Sequence, residues 1–304
     1  MRSTFIETLT ECARKDERIF LITADLGFSV LENFAREFPK RFLNAGIAEQ
    51  NAVGVAAGLA MTGKIVYVYS IVPFVTMRCF EQVRNEVAYQ QTRVRLVGVG
   101  GGLSYGPAGP THHSIEDLAL MRSLPGMTVF TPGDPIEARA LTRASVNLPG
   151  PAYIRLGKNG EPRVHPETAD IAMGKIATLN DGEDLSILVC GNLLDEGRKS
   201  VELLAKKKLR AALHSVHTLK PLDTVLIQTL INRGKPIFTL EEHTLYGGLG
   251  SAVSELIAES GHAIKFRRFA VPDEYSHTVG SQDLLRKQYG LDAQSLVARI
   301  LKEV

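Results

Sequence analysis

The sequence has no tryptophan, only three cysteines in 304 residues, and almost no net charge: 35 Lys+Arg stand against 33 Asp+Glu, a formal +2. That balance leaves no electrostatic footprint for nucleic acid or an anionic membrane. Cys12, Cys79 and Cys190 are odd in number and far apart. They argue against a disulfide framework or a zinc site and for a reducing compartment. No uncharged apolar run approaches the roughly 18 residues of a membrane span. Residues 1–18 carry charges throughout and lack the apolar stretch of a signal peptide. A cytoplasmic location, with no membrane or nucleic-acid partner, is the expectation. Hydrophobic content of 44% with 22% charged residues excludes disorder, collagen-like repeats and coiled coil as main themes. Glycine is plentiful, 27 residues beside 14 prolines, and points to many turns joining short elements.

Thr4 and Glu7 form a T-x-x-E capping box that predicts a first helix. Apolar runs predict strands at 18–22, 64–70, 94–99, 127–130 and near Tyr153. Helical spacing predicts helices at 48–61, 74–90 and 115–123, and one starting from Asp134; Phe80, Val83 and Val87 form one stripe. Strands alternating with helices imply a parallel sheet covered on both faces. The run GKNGEPRVHPETAD and the later Asn180-Asp181-Gly182 read as a linker. Strands at 185–190, 210–216 and 236–240, with helices near 195–208, 222–232 and 249–260, predict a second α/β unit. The expected fold class is α/β, two doubly wound domains at 1–160 and 184–304 joined by a linker at 161–183.

In open α/β sheets, ligands bind outside the carboxyl ends of the strands. Asp25-Leu26-Gly27, the turn before Glu49 and the loop before His112 fit that position. A carboxylate and a histidine in one crevice can do general acid–base work. Equally, a helix-start glutamate serves as a cap or ion-pair partner, and a loop histidine as a hydrogen-bonded surface group. Gly100-Gly101-Gly102 resembles a phosphate cradle only weakly, since it lacks both G-x-G-x-x-G and G-K-[ST].

Longer motifs carry a resemblance. The run Asn44-Ala45-Gly46-Ile47-Ala48-Glu49-Gln50-Asn51 resembles the helix start that bears the cofactor glutamate of thiamine diphosphate enzymes of the transketolase superfamily. Gly109-Pro110-Thr111-His112, followed by IEDLALMRSLPGMTVFTPGD, resembles that family's G-P-T-H loop, helix and strand. The segment from Phe74 through Arg78, Phe80 and Arg84 to Asn85 resembles the helix after the pyrimidine pocket. Thr239-Leu240-Glu241-Glu242-His243 and Gly247-Gly248-Leu249-Gly250-Ser251 resemble its C-terminal domain. The motifs span nearly the whole chain in the right order.

The resemblance implies a pyrimidine-binding domain followed by a transketolase C-terminal domain. It covers only the C-terminal half of a transketolase. The family's diphosphate and Mg²⁺ are held by G-D-G and a later Asn, and this chain has no G-D-G. Gly133-Asp134-Pro135 reads as a helix start instead. The chain therefore resembles the small subunit of a split transketolase, with no metal site of its own. An N-terminal-type partner would carry the G-D-G diphosphate and Mg²⁺ sites, in an α₂β₂ complex or around a homodimer of this chain. The implied activity moves a two-carbon ketol unit from a ketose phosphate to an aldehyde. Related alternatives are a 1-deoxyxylulose-5-phosphate synthase, a 2-oxo acid dehydrogenase β-subunit, and a non-catalytic regulatory subunit.

By this resemblance Glu49 bonds the pyrimidine N1′ of thiamine diphosphate and so promotes loss of the C2 proton. Phe74 stacks on the pyrimidine ring, although an ordinary core aromatic is an equal reading. Asp25 matches a family aspartate near the thiazolium and the subunit interface, or is a plain turn residue. His112 matches the substrate-facing histidine, with its neighbour His113 turned elsewhere. Lys158 stands where the family binds sugar phosphate with an arginine, and Arg155 is its rival. Ala108 replaces an aspartate that familiar transketolases place immediately before G-P-T-H to read the acceptor's 2-hydroxyl. Ser104 or Tyr105 could take over that task.

Overall fold

The computed structural model describes residues 1–304. The first unit runs α1 (Arg2–Lys15), β1 (Ile19–Thr23), α2 (Glu32–Glu37), β2 (Phe42–Asn44), α3 (Glu49–Met61), β3 (Ile65–Ile71), α4 (Val72–Val75), α5 (Phe80–Gln82), β4 (Val94–Val99), α6 (Asp117–Ser123), β5 (Thr128–Phe130), α7 (Pro135–Val146) and β6 (Ala152–Leu156). The second runs β7 (Ala177–Asn180), β8 (Leu185–Cys190), α8 (Leu194–Ala205), β9 (Ala211–Ser215), β10 (Thr218–Lys220), α9 (Thr224–Asn232), β11 (Ile237–Thr244), α10 (Leu249–Ser260), β12 (Phe266–Val271), α11 (Gln282–Gln288) and α12 (Ala293–Ile300).

The continuous apolar runs of β3 and β4 are buried at every residue, as strands covered on both faces must be. They sit centrally in a seven-stranded sheet of order β10-β5-β6-β4-β3-β1-β2. All its pairings are parallel except β10 with β5. The second sheet has the order β12-β11-β8-β9-β7, with only β7 antiparallel. In the first sheet the chain steps from β1 outward to β2 and then back across β1 to β3. The loops leaving β1, β2, β3, β4 and β6 thus gather at one carboxyl edge beside that reversal, the position at which α/β sheets bind ligands. The two units share one apolar core, in which Val129 and Tyr153 pack with Leu188, Cys190, Val216 and Leu230.

Several expectations are corrected. The first helix starts at Arg2, not behind a Thr4–Glu7 capping box; Thr4 lies inside it, and its carbonyl accepts from the Thr8 hydroxyl. The single helix expected at 74–90 is broken. Thr76 and Cys79 turn their side chains onto the carbonyls of Val72 and Phe74, and the chain resumes at α5 and continues as a π-helix over Val83–Tyr89. Val83 and Val87 still fill the core. The stretch expected as a linker contains β7, and three residues of the second unit, β10, return to complete the first sheet. Neither three nor four residues give a periodic signal to read.

Candidate active site

Glu49 is the first residue of α3, behind the Asn44–Ala48 turn, and is 2% exposed. Its Oε2 accepts from Arg78 Nη1 at 2.7 Å. Arg78 lies in the break after α4, and its guanidinium stacks on the Phe74 ring, 4.3 Å from the centroid. The Phe74 ring in turn meets His112 edge-on at 5.3 Å. His112 lies 6.1 Å from the Tyr105 ring, and Lys158 Nζ sits 4.5 Å over Tyr105. Loops of one sheet edge are thereby joined into a single chain of contacts: carboxylate, guanidinium, aromatic, imidazole, phenol, ammonium. Glu49, Phe74, His112 and Lys158, scattered along the sequence, are brought together.

His112 Nδ1 pairs with the Thr111 hydroxyl at 2.9 Å, which leaves Nε2 for another group. His113 points inward to the Gly106 carbonyl, and burial lowers its pKa. Cys79, beside Glu49, is buried with its thiol pushed up to about 12 by desolvation and then by the Glu49 charge. It is no nucleophile at neutral pH.

Asp25 and Arg155 stand outside this chain of contacts. Asp25 is exposed at the carboxyl end of β1 in a positive-φ turn, where its carboxylate accepts from Asn44 at the end of β2. It lies on the same edge as the site. Arg155 is corrected outright. It is buried in β6, paired with the fully buried Asp117 at 2.9 Å, and donates to the carbonyls of Ser114 and Glu242. Burial would raise the Asp117 carboxyl, but the Arg155 guanidinium, His243 and the Tyr153 hydroxyl together hold the group below its usual range. This arginine is structural and not available to a phosphate; of the two candidates, Lys158 is the one at the edge.

Two further readings change. The N–H groups of Gly100 and Gly101 are spent on the Leu156 carbonyl and that of Gly102 on Ser114, so the glycine run is no phosphate cradle. Ser104 is buried, with its hydroxyl engaged by Gly101, Asn192 and Gln282; it cannot replace a substrate-reading aspartate. Ala108 is exposed at the tip of that loop. Asp134 caps α7 by accepting from Glu137 N and also binds Val164 N and His165 N, as a helix start does. No group of three or more His, Cys, Asp or Glu side chains is arranged to hold a metal ion.

Arg78 decides whether the site suits an aminopyrimidine. Such a ring needs an aromatic face to stack on and a carboxylate to bond its ring nitrogen. The guanidinium, also planar and nitrogenous, already uses both, on Phe74 and Glu49. The seat fits the group.

Residues 1–162 match the transketolase pyrimidine-binding domain and residues 174–296 the transketolase C-terminal domain. The chain belongs to the transketolase family. It is 38% identical to a putative transketolase C-terminal section of Methanocaldococcus jannaschii, over all of this chain and 96% of the relative. It is 37% identical to one subunit of the apulose-4-phosphate transketolase of Phocaeicola vulgatus, over all of this chain and 97% of that one. A solved structure described as a split gene transketolase, inactive beta4 tetramer, superposes with a TM-score of 0.92 at 35% identity, covering 99% of this chain and 97% of its own. Within this transketolase-family chain, Arg78 and Tyr105 join the candidate residues in the same chain of contacts. Arg78 is legible only in hindsight, as a cation one turn beyond Phe74.

Proposed function

We propose that this chain is the small subunit of a two-chain, thiamine diphosphate-dependent transketolase that moves a two-carbon ketol unit from a ketose phosphate to an aldehyde. The observation that carries the reading is the guanidinium seat: a buried Glu49 carboxylate and the Phe74 face hold one planar nitrogenous group, next to His112. Bound there, thiamine diphosphate supplies a carbon nucleophile and electron sink. Glu49 would hold the proton at the pyrimidine N1′, with Arg78 yielding its place. His112 would donate or accept at the substrate's oxygens, and Lys158 would draw in its phosphate. Asp25 would lie toward the thiazolium and the partner.

The diphosphate and Mg²⁺ are assigned to a partner subunit carrying G-D-G, because this chain has no such motif. An α₂β₂ assembly follows, with a homodimer of this chain as its alternative. One relative of nearly the same length is itself named as a transketolase subunit, and a structural neighbour is an inactive tetramer of β chains; both support a need for that partner. All three cysteines are free, two of them buried, which supports action in the reducing cytoplasm. No helix is long and apolar enough to cross a membrane.

The test is coexpression with a G-D-G-bearing chain, followed by a donor and acceptor screen with thiamine diphosphate and Mg²⁺. Two-carbon transfer from a ketose phosphate is expected. Carbon dioxide release from pyruvate would instead favour the synthase reading, and acyl transfer to a lipoyl domain the dehydrogenase reading. An assembled complex that binds cofactor but exchanges no C2 proton would be left with the regulatory reading.

A further inference from the structure

Glu242 is a fully buried carboxylate on β11, in the second sheet, with no part in the chain of contacts from Glu49 to Lys158. Burying such a charge costs several kcal/mol unless it is fully partnered. Its partners are specific. Oε2 accepts from the backbone N–H of Leu103 at 3.0 Å, Gln282 Nε2 donates to both oxygens at 2.9 and 3.1 Å, and Arg286 Nε donates to Oε1. Leu103 belongs to the loop that leaves β4 and carries Tyr105 and His112. Next to it, Gly102 has φ +67°, and a Cβ there would lie 2.3 Å from Glu242 Oε2. Only glycine lets the loop lie flat on this carboxylate.

Further anchors converge on the same loop. The Ser104 hydroxyl donates to Gly101 O at 2.7 Å and accepts from Asn192 at 3.1 Å and Gln282 at 3.2 Å. Arg286 also donates to the Asn192 carbonyl at 3.0 Å, so one guanidinium ties Glu242 to the residue that holds Ser104. Gly280, just ahead of α11, packs against Gly106. Tyr105 thus lies between two anchors supplied by the second domain. Beyond them, Pro107, Ala108, Pro110 and Thr111 are exposed and have no comparable hold.

We propose that Glu242, held by Gln282 and Arg286, is a positioning residue: the second domain sets the placement of Tyr105 and His112 through this buried latch. The proposal rests on the functional reading above for what the loop does, not for how it is held. Glu49 and Phe74 sit on α3 and α4, outside the latch. Loss of the latch therefore separates substrate handling from cofactor activation.

The test uses Glu242→Gln in the full chain, with Gln282→Ala as a milder variant that keeps the ion pair. In the isolated chain, amide hydrogen exchange is followed by peptide. Residues 101–113 are expected to exchange about tenfold faster or more, while α3 and the second sheet keep their protection. In the complex with the partner, C2 exchange of bound thiamine diphosphate should stay within about twofold, while kcat/KM for the donor falls by roughly tenfold or more. Loop exchange equal to the parent overturns the proposal. So does acceleration of both domains together, which signals general loss of stability. If Glu242→Gln does not fold, Gln282→Ala decides on the same loop readout. A complex that transfers no ketol unit from any donor defeats the functional reading, and the loop exchange still decides the latch.

Discussion

Glu49 is buried and has one side-chain partner, the half-exposed Arg78 guanidinium, so the attraction of the pair is offset by the desolvation of the carboxylate, and the neutral, isosteric Gln loses both together. Glu49→Gln should therefore leave thermal unfolding nearly unchanged. It removes the carboxyl proton shared with N1′, so C2 exchange of cofactor in the assembled complex should slow by about two to four decades. Exchange as fast as the parent would make Glu49 structural. Lys158 contributes a charge over Tyr105. Lys158→Ala should raise KM for phosphorylated donors by roughly one to two decades and spare unphosphorylated ones; an equal rise for both would remove Lys158 from the phosphate's path. Glu49, Phe74, His112 and Lys158 are candidates by resemblance rather than by pattern, and the fold sets them along one chain of contacts. Arg155 misleads because a cation near a loop reads as solvated. Its setting inside the apolar Tyr153-Ile154-Arg155-Leu156 run is the better signal, since a strand buried at every residue obliges its arginine to find buried acceptors, here Asp117 and two backbone carbonyls. Arg78 escapes for the same reason in reverse: a cation on an amphipathic stretch looks like solvent-facing surface.

At the scale of elements, most of the long strands and helices follow from apolar runs and 3.6-residue periodicity with bounds within a few residues, but the helix expected at 74–90 is broken and β12, α11 and α12 are not among the expected elements. What escapes depends on contacts remote in sequence. The π-helical turn after α5 arises where Thr92 closes on Val87, and β10 exists only because β5 offers it an edge. The loop tip offers an element-scale test. Ala108 is exposed beside the anchored Tyr105, and Ser104 is spent on the latch. Acceptors should then be read weakly at C2. Ala108→Asp should restore discrimination between C2 epimers by about one to two decades in kcat/KM; strong discrimination already in the parent, unchanged by the substitution, rejects this. A second test concerns β9. His214 is buried, its Nδ1 pairs with Thr178, and desolvation, then the Arg233 charge, push its pKa down to about 4. The folded group stays neutral where the unfolded one, near 6.5, takes up a proton. Its contribution to stability is thus lost as pH falls from about 6.5 to about 4, by up to roughly 3 kcal/mol. Urea unfolding of the parent and His214→Gln across that range should show the parent losing more stability than the variant. Parallel pH profiles would show that His214 does not titrate in this way.

Across the whole molecule, the candidate site is one-sided. Glu49, Phe74 and His112 line the carboxyl edge of the first sheet, and that edge also exposes apolar surface: Phe28, after β1, is 74% exposed, and Ile47, two residues before Glu49, is 79% exposed. Large apolar side chains exposed this far, beside a buried functional carboxylate, suit a face covered on assembly. The chain also has no G-D-G motif. The isolated chain should accordingly show no Mg²⁺-dependent uptake of thiamine diphosphate in calorimetry, and uptake should appear when a G-D-G-bearing partner is added. Ile47→Asp should weaken copurification with that partner by about tenfold or more, since a carboxylate buried there would be unpaired. It should leave the melting temperature of the isolated chain nearly unchanged, because the side chain is in water. Tight, metal-dependent cofactor binding by the chain alone would place the diphosphate site on this subunit and sink the division of labour. Undiminished assembly by Ile47→Asp would leave that division standing and move the partner's contact to another face.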